Sequence, residues 1–113
     1  MSAGLWSLHP AFRPYAKQLI DLLAEAGLNP RVTSTRRSLG TQARLYQAFL
    51  DGRSPYPAAP PGHSTHQAGL AFDVVVDDMS LMPEIGRIWE SIGPGFTWGG
   101  RFKDPVHFDY RGS

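Results

Sequence analysis

Ser64-Thr65-His66-Gln67-Ala68-Gly69-Leu70-Ala71-Phe72-Asp73-Val74-Val75-Val76 is the stretch on which the reading of this chain turns. Its second half, Leu70 to Val76, is the clearest strand in the sequence. Strand alternation puts Leu70, Phe72, Val74 and Val76 on one face and Ala71, Asp73 and Val75 on the other. Asp73 is the anomaly: a carboxylate among Val and Phe is costly unless it is paired, hydrogen-bonded or bound to metal. An edge-strand aspartate facing water is the ordinary alternative. Gly69 permits a close backbone approach, and Ala71 leaves space beside Asp73. His66, in the preceding loop, can then fold back toward the carboxylate.

Near the end of the chain, Val106 to Tyr110 reads as the last strand. Val106, Phe108 and Tyr110 share one face, and His107 and Asp109 the other. Pro105 pushes Asp104 into an extended conformation, so Asp104 and His107 do not share a helix. If this strand neighbours the first, His66, Asp73 and His107 converge as two imidazoles and one carboxylate. Three N/O ligands with an open fourth position suit a catalytic zinc, and Asp104 is placed to accept a proton from an attacking water. A purely structural site would favour four protein ligands, and only Asp104 could supply the fourth. Asp109 has two readings. It orients the His107 imidazole, which when metal-bound usually hands its other N–H to an acceptor, or it is a rival base.

Outward from these strands, Pro10 to Ala26 has helical spacing, with Phe12, Tyr15, Leu19, Leu22, Leu23 and Ala26 as the inner stripe and Gly27 as the stop. Arg31 to Ser34 leans to β. Ser38 is placed to cap a second helix running to about Asp51, with Leu45, Tyr46, Phe49 and Leu50 buried and Gly52 ending it. Residues 52–65, rich in Pro, Gly and Ser, form a loop of a length that is usually functional or mobile. Ser80 is placed to cap a third helix with Pro83 in its first turn. Ile85, Ile88, Trp89 and Ile92 make its inner stripe and Gly93 closes it. Phe96 to Trp98 is a further strand before the Gly99-Gly100 turn. The expected fold class is α+β: one domain over residues 1–113, a small mainly antiparallel sheet packed with about three helices.

The composition excludes several functions. With 113 residues and 42% hydrophobic content the chain suits a single core. A net charge of +1 and no basic run argue against nucleic acid as a partner. No stretch approaches the roughly 18 apolar residues of a membrane span. The absence of cysteine removes disulfides, thiolate metal sites and a cysteine nucleophile, leaving His, Asp or Glu to hold any metal. Met1 to Pro10 lacks the pattern of a signal peptide.

Ser64-x-His66-x-x-Gly69-x-Ala71-x-Asp73, then Trp98-Gly99-Gly100, then Asp104-x-x-His107-Phe108 resembles the VanY-type D-alanyl-D-alanine carboxypeptidases and equally the phage L-alanyl-D-glutamate endopeptidases. Both are zinc peptidases of the lysostaphin, D-Ala-D-Ala and hedgehog superfamily. Upstream, Thr33-Ser34-Thr35-Arg36-Arg37-Ser38 with Gln42 and Leu45-Tyr46 is similar to the family's arginine-bearing segment. The resemblance implies one Zn2+ held by His66, Asp73 and His107, with Asp104 as general base and acid. It implies Arg37 as binder of a substrate carboxylate or carbonyl oxygen and stabiliser of the oxyanion, and Ser64 as a group that hydrogen-bonds the substrate or orders the His66 loop. Arg36 stands where the family often has an aromatic residue, and register with Ser38 and Gln42 favours Arg37 over it as the anchor. Trp98 is expected in the core rather than the site wall. His63, in the loop before Ser64, has two readings, an exposed loop histidine as the ordinary one and a contact to substrate or to the site as the other, and His9 is expected to have no part in the site.

The implied partners are peptidoglycan stem peptides, acted on at the cell wall by a monomer made in the cytoplasm. A phage lysin and a trimmed secreted bacterial enzyme are both compatible with that. Asp at position 104 with the Trp-Gly-Gly run leans to L-alanyl-D-glutamate cleavage, and D-alanyl-D-alanine carboxypeptidase is the alternative. A metal-dependent peptide-binding module without catalysis is the non-enzyme reading.

Overall fold

The computed structural model describes residues 4–36, 38–55, 58–60 and 65–112. Arg37, His63 and Ser64, named above, lie outside the described residues. The elements run α1 (Arg13–Glu25), β1 (Arg31–Ser34), α2 (Leu39–Leu50), β2 (Ala71–Val75), α3 (Met82–Glu90), β3 (Phe96–Trp98) and β4 (His107–Tyr110). Short 3-10 turns cover Leu5–Ser7, Met79–Leu81 and Gly99–Phe102. The four strands make one antiparallel sheet in the order β1-β2-β4-β3. The α+β class with three helices is the one expected. Among the described residues no helix is long and apolar enough to cross a membrane.

β2 lies inside the sheet and is covered on both faces, which is why its sequence is apolar almost throughout. Phe72 and Val74 point into a core with Phe12, Ala16, Leu19 and Leu23 around α1, Met82, Ile85 and Trp89 of α3, and Phe108 of β4. Trp89 meets Phe12, Phe72 and Phe96 edge-on, with centroids 5.7, 5.4 and 5.2 Å away. Its indole N–H donates to the Asp109 carbonyl at 2.9 Å, so the buried donor is satisfied. The opposite face of β2 carries Ala71 and Asp73, and the functional site lies there.

The helix ends follow the expected chemistry at α1 and α2. Gly27 has φ of +77° and Gly52 has φ of +74°. At α1, Gly27 N–H donates to Ala24 and Leu28 N–H to Leu23; at α2, Gly52 N–H donates to Phe49 and Arg53 N–H to Ala48. Both are Schellman closures, which favour glycine at the left-handed position. Ser38 caps α2, its hydroxyl accepting from Thr41 N–H at 3.1 Å. At α3, Pro83 falls in the first turn as expected, but Ser80 is not the cap. Ser80 lies in the preceding 3-10 turn and is itself a donor to Asp78. The helix ends at Glu90, short of Gly93.

The buried stripes are narrower than the apolar periodicity suggests. On α1 the core-facing residues are Ala16, Leu19 and Leu23, while Tyr15, Leu22 and Ala26 are exposed. On α3, Met82, Ile85, Gly86 and Trp89 are buried, and Ile88 and Ile92 are exposed. On α2, Leu45, Phe49 and Leu50 are 38, 37 and 57% exposed, and Tyr46 is half-buried. Among the described side chains of that helix the buried one is Gln42, whose amide donates to the Ala59 carbonyl at 2.7 Å. A polar contact thus ties that helix to the loop at Ala59.

Gly86 has a reason that helix propensity does not supply. A Cβ there would stand 2.3 Å from the Trp98 ring, and one on Gly100 would stand 2.1 Å from the opposite part of the same ring. Trp98 is therefore held between two glycines. We expect Gly86→Ala to destabilise the fold by about 1–3 kcal/mol through overpacking. Helix propensity alone would favour alanine by about 1 kcal/mol. Urea unfolding of the two proteins measures the sign.

Candidate metal centre and active site

Strand register brings two of the candidate ligands together. In the β2–β4 pair Asp73 stands opposite His107, Phe72 opposite Phe108 and Ala71 opposite Asp109. Side chains of directly opposed residues share a face, so the Asp73 carboxylate meets the His107 imidazole. His66 arrives from the turn at residues 65–69. That turn is closed by Gly69 N–H on the His66 carbonyl and Leu70 N–H on the Thr65 carbonyl. Gly69 adopts φ of +75°, and a Cβ on it would stand 2.8 Å from the His9 nitrogen. The close approach lets His9 N–H donate to the Gly69 carbonyl at 2.9 Å. The backbone of His9 thus holds the loop, while its imidazole is outside the site.

The donor atoms form a near-regular triangle. His66 Nε2 is 3.1 Å from Asp73 Oδ1 and 3.1 Å from His107 Nδ1, and the third side, His107 Nδ1 to Asp73 Oδ1, is 3.3 Å. Donors about 2.0–2.1 Å from a tetrahedral zinc stand about 3.3 Å from one another, so the triangle fits one face of such a shell. Among the described residues these three side chains are the group able to hold a metal ion. His66 is 1% exposed, whereas Asp73 and His107 keep a thin solvent-facing edge.

Two acceptors set the imidazole tautomers. His66 Nδ1–H donates to the Thr35 carbonyl at 2.7 Å, which leaves Nε2 as the lone-pair nitrogen facing the triangle. The β1–β2 register slips between Val32 and Ser34, an irregularity of the kind a β-bulge makes beside a site, one residue before Thr35. His107 Nε2–H donates to Asp109 Oδ2 at 2.7 Å, which leaves Nδ1 facing the triangle. Sequence reasoning gave Asp109 a role but none to Thr35, whose contribution is a backbone oxygen with no side-chain signature.

Without a metal the triangle is strongly coupled electrostatically. Burial pushes the Asp73 pKa up, but the hydrogen bond and charge of His107, with the His66 imidazole beside it, outweigh it, holding the carboxyl well below its usual range. Burial likewise works against a charged His107. Hydrogen bonds to Asp109 and Asp73 and their charges overcome it and push its pKa up to about 9.

Asp104 is half-buried at the start of the turn into β4. Its N–H donates to the Gly99 carbonyl at 2.9 Å, and its carbonyl accepts from His107 N–H at 3.1 Å. Pro105 and Val106 carbonyls accept from Trp98 Nε1 at 2.7 Å and Val74 N–H at 2.9 Å. The turn carrying the expected base is therefore fixed at four points. Gly99 makes this possible, since a Cβ there would lie 2.5 Å from the Asp104 carbonyl. Trp98 packs against the core, as expected. Arg36 is exposed. A separate cavity of about 390 Å³ opens among Phe12, Tyr15, Phe96 and Tyr110, and no member of the triangle lines it.

The profile of the VanY family, D-alanyl-D-alanine carboxypeptidase, matches residues 6–92. The chain belongs to the VanY family. The match spans most of the chain and includes His66 and Asp73; Asp104 and His107 lie beyond it. The chain is accordingly a peptidoglycan peptidase domain. Solved structures share the fold. The LdcB LD-carboxypeptidase is 28% identical, with 93% of this chain covering 66% of that one at a TM-score of 0.67. The D,D-pentapeptidase VanY from a VanB-type resistance cassette, solved with Zn(II), is 22% identical over 93% and 73% of the two chains, TM-score 0.65. The L-Ala D-Glu endopeptidase ChiX of Serratia marcescens is 23% identical over 94% and 82%, TM-score 0.66. No curated protein matches the chain.

Proposed function

We propose that this VanY-family domain is a zinc-dependent peptidase of peptidoglycan stem peptides and that the L-alanyl-D-glutamate bond is its substrate. The observation that carries metal-dependent hydrolysis is the triangle of His66 Nε2, Asp73 Oδ1 and His107 Nδ1, matched to a three-ligand zinc site. A zinc ion held there would supply Lewis acidity to the attacking water and the scissile carbonyl. Asp104 accepts the proton from that water and returns it to the leaving amide nitrogen. Its short side chain is effective only on a fixed backbone, which the four contacts around the Asp104–His107 turn provide. Arg37 stabilises the developing oxyanion and Ser64 hydrogen-bonds the substrate, both on the strength of the sequence pattern.

Support for the L-alanyl-D-glutamate bond comes from Asp rather than Glu at position 104 and from the Trp98-Gly99-Gly100 run packed behind it. The second reading, D-alanyl-D-alanine carboxypeptidase, is favoured by the family profile.

Mass spectrometry of muropeptides incubated with zinc-loaded protein and with Asp104→Ala tests both readings. Zinc-dependent products split between L-alanine and D-glutamate, absent with the variant, are expected. Loss of a terminal D-alanine would select the second reading. Stoichiometric zinc without any cleavage would overturn the peptidase mechanism and return the domain to peptide binding.

A further inference from the structure

One carboxylate connects both histidine-bearing segments. Asp109 is fully buried on β4, two residues beyond His107 and on the same face. Its Oδ2 accepts from His107 Nε2 at 2.7 Å and from the Thr65 hydroxyl at 3.2 Å. Arg111 Nε donates to the same carboxylate at 3.0 and 3.2 Å. Thr65 is the residue immediately before His66, so Asp109 reaches the loop of one imidazole while orienting the other. The Arg111 guanidinium lies over the Phe102 ring, 4.8 Å from its centroid. Across the sheet Asp109 faces Ala71, whose small side chain leaves the carboxylate room on the site face.

We propose that Asp109 is a positioning residue that fixes the spacing of His66 and His107 and the tautomer of His107, with Thr65 and Arg111 holding it in that pose. A carboxylate only accepts hydrogen bonds, so it forces the proton onto His107 Nε2 and leaves Nδ1 open toward the triangle. An amide at position 109 can present its NH2 instead. The imidazole then places its proton on Nδ1, the nitrogen the metal needs. Thr65 ties the loop to the same anchor. Arg111 and Phe102, at the rim, keep the carboxylate from turning away. This inference rests on the metal-site reading, and the experiment separates the two.

Chelator competition gives zinc affinity for wild type, Asp109→Asn, Thr65→Val, Thr65→Ser and Arg111→Met. Nitrogen NMR of each metal-free protein, followed through its own pH titration to the neutral-ring limit, reads the His107 tautomer. Asp109→Asn is expected to weaken zinc by about 10–100-fold and to move the His107 proton to Nδ1. Thr65→Val and Arg111→Met are expected to weaken zinc several-fold, and Thr65→Ser to keep wild-type affinity. A folded Asp109→Asn protein with wild-type zinc affinity and the proton still on Nε2 would overturn the proposal. Should Asp109→Asn fail to fold, wild-type affinity in both Thr65→Val and Arg111→Met would overturn it. If wild type itself binds no zinc, the metal reading fails, and the His107 tautomer in Asp109→Asn still decides the positioning role.

Discussion

Replacing Asp104 with asparagine is expected to lower kcat by about 10²–10⁴-fold while zinc stoichiometry stays at wild type. The variant keeps shape and hydrogen-bonding reach but loses the ability to take up a proton and give it back. Asp104 stands outside the donor triangle of His66, Asp73 and His107, so its loss leaves that triangle complete. Its backbone is tied to Gly99 and to His107, and the following carbonyls to Trp98 and Val74, and the substitution leaves all four of these contacts in place. KM should move little, because the group acts on the reacting proton rather than on binding. Metal analysis and steady-state kinetics on one preparation separate the possibilities. A parallel loss of zinc and activity would make Asp104 a fourth metal ligand. Unchanged kcat would remove it from the mechanism.

The triangle was legible because its residues are chemically out of place. A carboxylate in the run Leu70 to Val76 demands a partner, and alternation around His107 puts that histidine on the matching face. Antiparallel pairing of β2 with β4 then converts two sequence patterns into one site. Asp109 had two readings, and its full burial among three donor side chains supports orientation of His107 over contact with an attacking water.

What stayed hidden depends on contacts between distant segments. Periodicity marks an apolar helix face but not how much of it a sheet of three- to five-residue strands covers. Leu22, Ile88 and Phe49 are thus apolar by pattern and exposed in fact. Gly86 reads as a weak point in a helix until the Trp98 ring is found lying on it. The Thr35 carbonyl, which sets the His66 tautomer, belongs to an atom every residue has, so only the fold assigns it a role.

Zinc should stabilise this domain more as pH rises from about 6 to 9, and the dependence should vanish in His107→Ala. In the metal-free protein the His107 pKa is raised from 6.5 to about 9 by Asp109 and Asp73, against its burial. Zinc must displace that proton, so apparent affinity falls about tenfold for each pH unit below 9. The protein without metal has the opposite slope. A group whose folded pKa is raised contributes stability that is complete below its unfolded pKa, near 6.5, and is lost as pH climbs through about 9. Asp73, with its folded pKa lowered from 3.8, contributes stability present above 3.8 and lost as pH falls through its folded value. Between pH 6.5 and 9 the metal-free fold therefore weakens while zinc binding strengthens. The thermal shift on adding zinc, measured at several pH values, should widen across that interval. His107→Ala removes both the proton and the Nδ1 donor, leaving two of three ligands, and should show little zinc shift at any pH. An equal shift at pH 6 and pH 9 in the wild type would mean that zinc displaces no proton from His107 across that interval, which contradicts a ligand whose metal-free pKa is raised to about 9.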